Sequence, residues 1–178
     1  MRRYGIKVDA NIVMADYSHA DRVRRIIDEY DDRVSVRILN DLDRGDESYL
    51  AIYQLLSDLG AEPQELRVEA GSSNSRVAYQ LPNGRTIYFK QIRRTVLPET
   101  CGSCSLNNDQ DCKEGYYGVR TYIDSNGNYK VGVCIQRMDL TMGLEEFATS
   151  PIVDEINGLR VAELQVLNEH YRERRLTK

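Results

Sequence analysis

The fold is decided near the N-terminus by residues 6–39, which read IKVDANIVMADYSHADRVRRIIDEYDDRVSVRIL. Apolar side chains alternate over residues 6–14, which indicates a β-strand. Over residues 23–30 they recur at every third or fourth position, which is the spacing of one face of a helix. Residues 34–39 predict a second strand. A strand, a helix and a second strand in this order are typical of a parallel crossover, so the sequence predicts an α/β unit.

The chain changes character after this unit. A polar, acidic loop leads into a predicted helix that Gly60 is placed to end. Short strands and tight hairpin turns follow. Two helices are predicted near the C-terminus, and the first of them closes at Gly158. The sequence therefore predicts two domains, residues 1–46 and residues 47–178, with α/β character in the first and α+β character in the second.

The composition excludes some broad functional classes. The chain has 178 residues and a formal net charge of −4, which argues against a general nucleic-acid binder because counterion release needs a basic surface. No apolar run approaches the roughly 20 residues that cross a bilayer. Asp9 interrupts the stretch where a secretory signal would be apolar. The sequence predicts a cytoplasmic protein without nucleic-acid or membrane partners.

The four cysteines are the strongest chemical signal in the sequence. They lie close together along the chain, at Cys101, Cys104, Cys112 and Cys134. The first two form a C-x2-C pair, whose thiolates can reach one metal or one cluster from a single tight turn. Because disulfides are rare in a reducing cytosol, clustered cysteines there are more often metal ligands. The four are predicted to hold one metal centre.

The spacing of the cysteines leaves the occupant of this centre open. An iron–sulfur cluster and a structural four-cysteine zinc site use the same ligands. Zinc sites of that kind usually present a second close pair, which Cys112 and Cys134 do not form. Two disulfides would require an oxidising compartment, and unliganded thiols are the remaining alternative.

Three segments together resemble a known enzyme family. Residues 101–135 contain CGSC, then YGVRT, then NGNYK, then CI. In this order they resemble the C-terminal cluster region of the molybdenum-cofactor GTP 3′,8-cyclases, which are radical S-adenosylmethionine (SAM) enzymes. That family's pattern is C-x2-C-N-R-L-R, a strand, a D-G turn, a strand and C-L. Residues 9–13 (DANIV) resemble its fifth barrel strand, and residues 36–39 (VRIL) resemble its sixth.

The resemblance implies a specific fold and cofactor. Residues 1–46 would be the C-terminal strands of an incomplete (β/α)6 radical SAM barrel, and residues 47–178 would be a small α+β auxiliary-cluster domain. The four cysteines would then hold an auxiliary 4Fe–4S cluster near a small-molecule substrate.

The resemblance also implies three substrate-binding residues. Asn11 and Arg37 would point to the mouth of the barrel and contact SAM or substrate. Arg120 would bind an anionic group of the substrate near the cluster. The alternatives are local hydrogen bonds for the two strand residues, and an ion pair between Arg120 and Glu114.

Departures from the family pattern limit the expected activity. The C-x3-C-x2-C motif that binds the SAM-cleaving cluster is absent from the sequence. The chain is therefore expected not to cleave SAM alone. It would bind SAM only when completed by a missing N-terminal radical SAM half, and its expected protein partner is that half or a reductant protein. It is expected to be a fragment, the product of a truncated reading frame, or a partner for that half.

The substrate is expected to be a small molecule other than GTP. Gly118 stands where the family supplies an arginine to GTP, and Asp9 stands where it has a lysine. Cys112 is an additional thiol, and a fourth thiolate would close the iron that the cyclases leave open. Two other functions compete with this one: an electron-transfer protein that uses the cluster alone, and a protein-interaction module stabilised by a four-cysteine zinc site.

Overall fold

The computed structural model describes residues 8–30 and 33–176, with side chains described as far as residue 169. Strands within this part of the chain are β1 (Val8–Met14), β2 (Val34–Asn40), β3 (Glu62–Val68), β4 (Asn74–Gln80), β5 (Thr86–Ile92), β6 (Arg120–Ile123), β7 (Tyr129–Gly132) and β8 (Met142–Gly143). The α-helices are α1 (Ala20–Tyr30), α2 (Asp46–Asp58), α3 (Pro98–Gly102), α4 (Leu144–Ala148) and α5 (Pro151–Leu176).

The chain divides into two compact units. The first contains the described residues up to Val68 together with Asn74–Ile92. The second contains Glu69–Ser73 and the residues from Arg93 onward. This division differs from the predicted boundary between residues 46 and 47, because the second helix and the three strands after it belong to the first unit.

The first unit is built on a mixed five-stranded sheet with the order β1-β2-β5-β4-β3. β1 runs parallel to β2, with Asn11 opposite Arg37, which confirms the predicted crossover through α1. β5 pairs with β2 in parallel, and β4 and β3 continue the sheet in antiparallel fashion. Two strands cannot form a stable sheet alone, and here the chain itself supplies the other three.

Alternating side chains explain the core of the first unit. Every second residue of β2 is buried, starting at Val34 and ending at Asn40. The predicted apolar face of α1 contributes Val23 and Ile27, both buried. The buried cluster of this unit consists of Ile12, Met14, Ala20, Val23, Ile27, Val36, Ile38, Ala51, Ile52, Leu55, Leu56, Tyr79, Leu81, Ile87 and Phe89.

The second unit contains the antiparallel sheet β6-β7-β8 and the helices α3, α4 and α5. The turn between β6 and β7 is fixed by the Asp124 carboxylate, which accepts hydrogen bonds from the N–H groups of Asn126 and Asn128, each at 2.9 Å. A second hydrophobic cluster forms around Leu97, Tyr116, Val133, Ile152 and Ile156.

The prediction that Gly158 ends a helix is wrong. α5 begins at Pro151, as the sequence predicts, but it continues through Gly158 to Leu176. A glycine inside a helix costs only about 1 kcal/mol relative to alanine. Burial of Ile152 and Ile156 on the same helix is large enough to outweigh that cost.

Candidate metal centre

All four cysteine side chains line one cleft of the second unit. The cleft encloses about 430 Å³ of empty space, counting the part open to solvent. α3 carries Cys101, the loop after α3 carries Cys104 and Cys112, and the segment after β7 carries Cys134. Each of the four is a free, partly buried thiol. The structure therefore brings together the four residues that the sequence predicts as ligands.

The C-x2-C turn is held by a carboxylate from α5. Glu155 accepts hydrogen bonds from the backbone N–H groups of Glu99 and Thr100 and, at 2.6 Å, from the Thr100 hydroxyl. The Cys104 N–H donates to the Cys101 carbonyl at 3.0 Å and closes the turn. Because Glu155 satisfies N–H groups at the start of α3, it fixes the backbone that carries the first two thiols.

The loop that carries Cys112 is tied down at both ends. Arg94 donates from Nε to the Cys112 carbonyl at 3.0 Å and from Nη2 to the Asn107 side chain at 2.5 Å. Gln136, two residues after Cys134, donates to the Asp111 carbonyl at 2.8 Å. The hydrogen bond from Gln136 thus joins the third and fourth cysteine segments to each other.

The backbones at Gly115 and Thr95 pack closely against each other beside the cleft. Gly115 lines the cleft and has φ +73°. It bridges to Thr95, whose carbonyl accepts the Tyr116 N–H at 2.6 Å. A Cβ at Gly115 would collide with that carbonyl. Only glycine adopts this positive φ readily and also leaves room for the Thr95 carbonyl.

Backbone hydrogen bonds reach two of the four sulfurs. The Leu97 N–H donates to Cys101 Sγ, and the Arg137 N–H donates to Cys134 Sγ, both at 3.4 Å. The backbone N–H groups of the loop after Cys104 and the Arg137 guanidinium lower the pKa of the Cys104 thiol. Hydrogen bonds of this kind stabilise thiolates and tune metal centres that thiolates ligate.

The two thiols of the C-x2-C turn have opposite electrostatic surroundings. Burial raises the pKa of Cys101, the Leu97 N–H partly offsets this, and nearby Cys112 and Cys134 raise it further. The pKa of Cys104 is lowered, chiefly by the N–H of Leu106 and the Arg137 side chain. Cys104 is therefore the more easily ionised of the pair.

The donor set bears on which metal group the cleft could take. Among residues 8–30 and 33–176, no three His, Cys, Asp or Glu side chains are placed to hold a single metal ion. Around one zinc ion with bonds of about 2.3 Å, four sulfurs would stand about 3.8 Å apart. An iron–sulfur cluster instead bonds each thiolate to its own iron, so the thiolates surround a larger body. The cleft therefore offers four free thiols that do not converge on a single ion.

Asn11 and Arg37, two of the predicted substrate-binding residues, lie on neighbouring strands of the first unit. Asn11 is exposed on β1, directly opposite Arg37 on β2. Arg37 forms an ion pair with Asp9 at 2.9 Å. A local contact of this kind is the predicted alternative to substrate binding by Arg37. Its Nε is buried, and no hydrogen-bond partner for it exists in the described part of the chain.

Arg120, the third predicted substrate-binding residue, stacks on an aromatic ring. Its guanidinium carbon lies 3.6 Å from the centroid of the Tyr117 ring, within the range of a cation–π contact. Glu114, the alternative ion-pair partner, accepts a hydrogen bond from the Ser73 hydroxyl at 2.9 Å. The cation that lines the cleft is Arg137.

Sequence reasoning missed three residues that shape the cleft. Arg137 lies three positions after the last cysteine, and this closeness in sequence could have indicated a residue of the cleft. Arg94 and Glu155 reach the site from separate segments, 18 and 55 residues away from their partners at Cys112 and Thr100. No local pattern in the sequence indicates these two.

Comparison with known proteins gives no relative: no family model, no curated protein and no solved structure matches the chain. In the described residues, no helix is both long enough and apolar enough to cross a membrane.

Proposed function

We propose that this chain is the C-terminal portion of a radical SAM enzyme that acts on a small molecule other than GTP, and that its four cysteines hold an auxiliary 4Fe–4S cluster. One observation carries the proposal: four free thiols line a single cleft, and two of their sulfurs accept N–H hydrogen bonds. A cleft of this kind gives thiolate ligands to a cluster without requiring them to converge on one ion.

The first unit supports the finer description of the fold. β1 and β2 are parallel and joined through α1, which is the repeating unit of a β/α barrel. In the described sheet β1 is an edge strand, and an edge invites a further strand. On this proposal β1 and β2 are the C-terminal strands of an incomplete (β/α)6 barrel, and a separate N-terminal half would supply the strands before them.

The cleft residues have defined roles in this proposal. Cys101, Cys104, Cys112 and Cys134 would hold the cluster. Glu155 fixes the C-x2-C turn, and Arg94 fixes the loop of the third thiol. When bound, the cluster would supply electron transfer or an iron that polarises a substrate atom. SAM would be required only by the completed enzyme, with a reductant protein as a further partner in the cytoplasm.

The charges near β1 support a substrate other than GTP. Arg37 is already paired with Asp9 at 2.9 Å, and this pairing partly neutralises the cation that a polyphosphate would need. In the completed enzyme, Asn11 and Arg37 would contact SAM or a small substrate. Arg120, stacked on Tyr117, would bind an anionic group of that substrate.

The experiment that tests the proposal is anaerobic expression followed by iron, sulfide and zinc quantitation. We expect about four irons and four sulfides per chain, with broad visible absorbance, as for thiolate-ligated clusters. In Cys112→Ala, loss of iron would mean a closed four-cysteine cluster, and retention would mean three ligands and one open iron. About one zinc per chain without iron would contradict the proposal and support an interaction module with a zinc site.

A further inference from the structure

Arg137 lies beside two of the four cysteines. Its backbone N–H donates to Cys134 Sγ at 3.4 Å. Its guanidinium lies near enough to Cys104 to lower the pKa of that thiol. The side chain lines the cleft. Arg137 therefore places a backbone N–H dipole at the sulfur of Cys134 and a positive charge near the sulfur of Cys104, on two separate segments of the chain.

Asp139 fixes the orientation of this cation. Its carboxylate accepts from Arg137 Nε at 2.8 and 3.1 Å and from Nη2 at 2.6 Å. The Asp139 side chain is 61% exposed and the Arg137 side chain 34%, and Asp139 is not among the residues that line the cleft. The pair therefore directs its positive end at the sulfurs and its negative end toward solvent.

We infer that Arg137 is a positioning residue that raises the reduction potential of the metal centre, and that Asp139 orients it for this role. The inference rests on the proposed cluster. Reduction adds one negative charge to a cluster that thiolates already make negative. A cation beside a ligand sulfur stabilises the reduced form more than the oxidised form, and hydrogen bonds to the sulfurs act in the same direction.

The test measures the reduction potential of the anaerobically loaded full chain, by redox titration followed with visible absorbance and electron paramagnetic resonance. Four chains are compared with wild type: Arg137→Gln, Arg137→Lys, Asp139→Asn and Lys130→Gln. Lys130, on β7, does not line the cleft, so its variant controls for the change in net charge. Iron and sulfide are quantified in every sample before titration.

We expect Arg137→Gln to lower the potential. At a fixed solution potential, the ratio of oxidised to reduced chain should rise by up to about tenfold, which is about 59 mV for a one-electron couple. Arg137→Lys should restore most of the wild-type potential, and Lys130→Gln should leave it unchanged. Asp139→Asn should raise the potential, because it removes the negative charge that opposes the cation.

The signs of the shifts separate a charge role from a structural one. Both Arg137→Gln and Asp139→Asn break the same ion pair, so a purely structural clamp would shift the potential in the same direction in both. Shifts of equal sign, or equal potentials in fully loaded samples, overturn the inference and leave the proposed cluster intact. Absence of iron and sulfide from wild type overturns the cluster itself. If Arg137→Gln loads no iron, an unchanged or lowered potential in Asp139→Asn overturns the inference.

Discussion

Cys101 and Cys104 lie on one turn but differ in their tendency to ionise. Burial raises the pKa of Cys101, and the Leu97 N–H only partly offsets it. Cys104 lies where the N–H of Leu106 and the guanidinium of Arg137 stabilise a thiolate, so its pKa is lowered. The order of reactivity within the pair therefore follows from hydrogen bonding and burial rather than from position in the motif.

In the metal-free chain we expect iodoacetamide to alkylate Cys104 before Cys101. Because the pKa of Cys104 is lowered and that of Cys101 is raised, the rate at Cys104 should rise at lower pH than the rate at Cys101. Mass spectrometry of timed, quenched samples over a pH series measures both rates. Arg137→Gln should move the Cys104 profile to higher pH. Faster labelling of Cys101 in wild type would contradict the electrostatic description.

Gly115→Ala should destabilise the chain through backbone geometry. The residue has φ +73°, and a Cβ would collide with the Thr95 carbonyl. The conformation alone costs about 1 kcal/mol and strain of this kind reaches about 3 kcal/mol. Gly127→Ala is the matched control, with φ +82° and nothing within 4 Å of its Cβ. Urea unfolding should show a larger loss at Gly115; equal losses would show that the approach to Thr95 is unimportant.

At the residue scale, the sequence indicates the four cysteines that line the cleft, but not the side chains that hold their segments in place. A C-x2-C pair and two further cysteines follow from counting and spacing. Glu155 and Arg94 reach the cleft through contacts distant in sequence.

At the scale of elements, α5 positions α3. The two helices are joined by the Glu155 carboxylate and by packing of the cluster around Leu97, Ile152 and Ile156. The sequence predicted a break at Gly158 because glycine is a poor helix former. Apolar residues on both sides of Gly158 pack into the same hydrophobic cluster. This tertiary packing overrides the low helix propensity of glycine, because a continuous helix places both sets of residues in the cluster.

Glu155→Ala should loosen the C-x2-C turn. It removes an acceptor shared by two N–H groups and one hydroxyl at α3, and each hydrogen bond to a charged group contributes about 1.5–3 kcal/mol. An added chelator should remove iron from Glu155→Ala several times faster than from wild type. Asn157→Ala, at an exposed position of the same helix, is the control. Equal rates of iron loss from the two variants would show that Glu155 does not hold the C-x2-C turn.

At the scale of the whole molecule, the first unit depends on a non-local strand pairing. Local patterns correctly predict β1 and β2, but they cannot indicate that β5 lies beside β2, with Arg37 opposite Tyr88. That pairing draws residues 47–68 and 74–92 into the first unit. The extent of this unit therefore follows from strand pairing that is distant in sequence, which a change in local character cannot indicate.

The chain alone should not cleave SAM. Its four cysteines all line one cleft, which leaves no thiolates for a second cluster. Incubation of the loaded chain with SAM and a strong reductant should yield no 5′-deoxyadenosine, as measured by liquid chromatography. On the proposed division of labour, 5′-deoxyadenosine should form only after addition of a polypeptide that carries a C-x3-C-x2-C motif. Turnover of SAM by this chain alone would contradict the division of labour proposed here.

X-ray absorption spectroscopy of the anaerobically loaded chain tests the central claim most directly. The claim is that the four thiols of the cleft hold one iron–sulfur cluster. It predicts iron with a first shell of sulfur and a second shell of neighbouring iron atoms, both lost when Cys101 and Cys134 are replaced by serine. A zinc signal with a single shell of sulfur and no metal neighbour would contradict it.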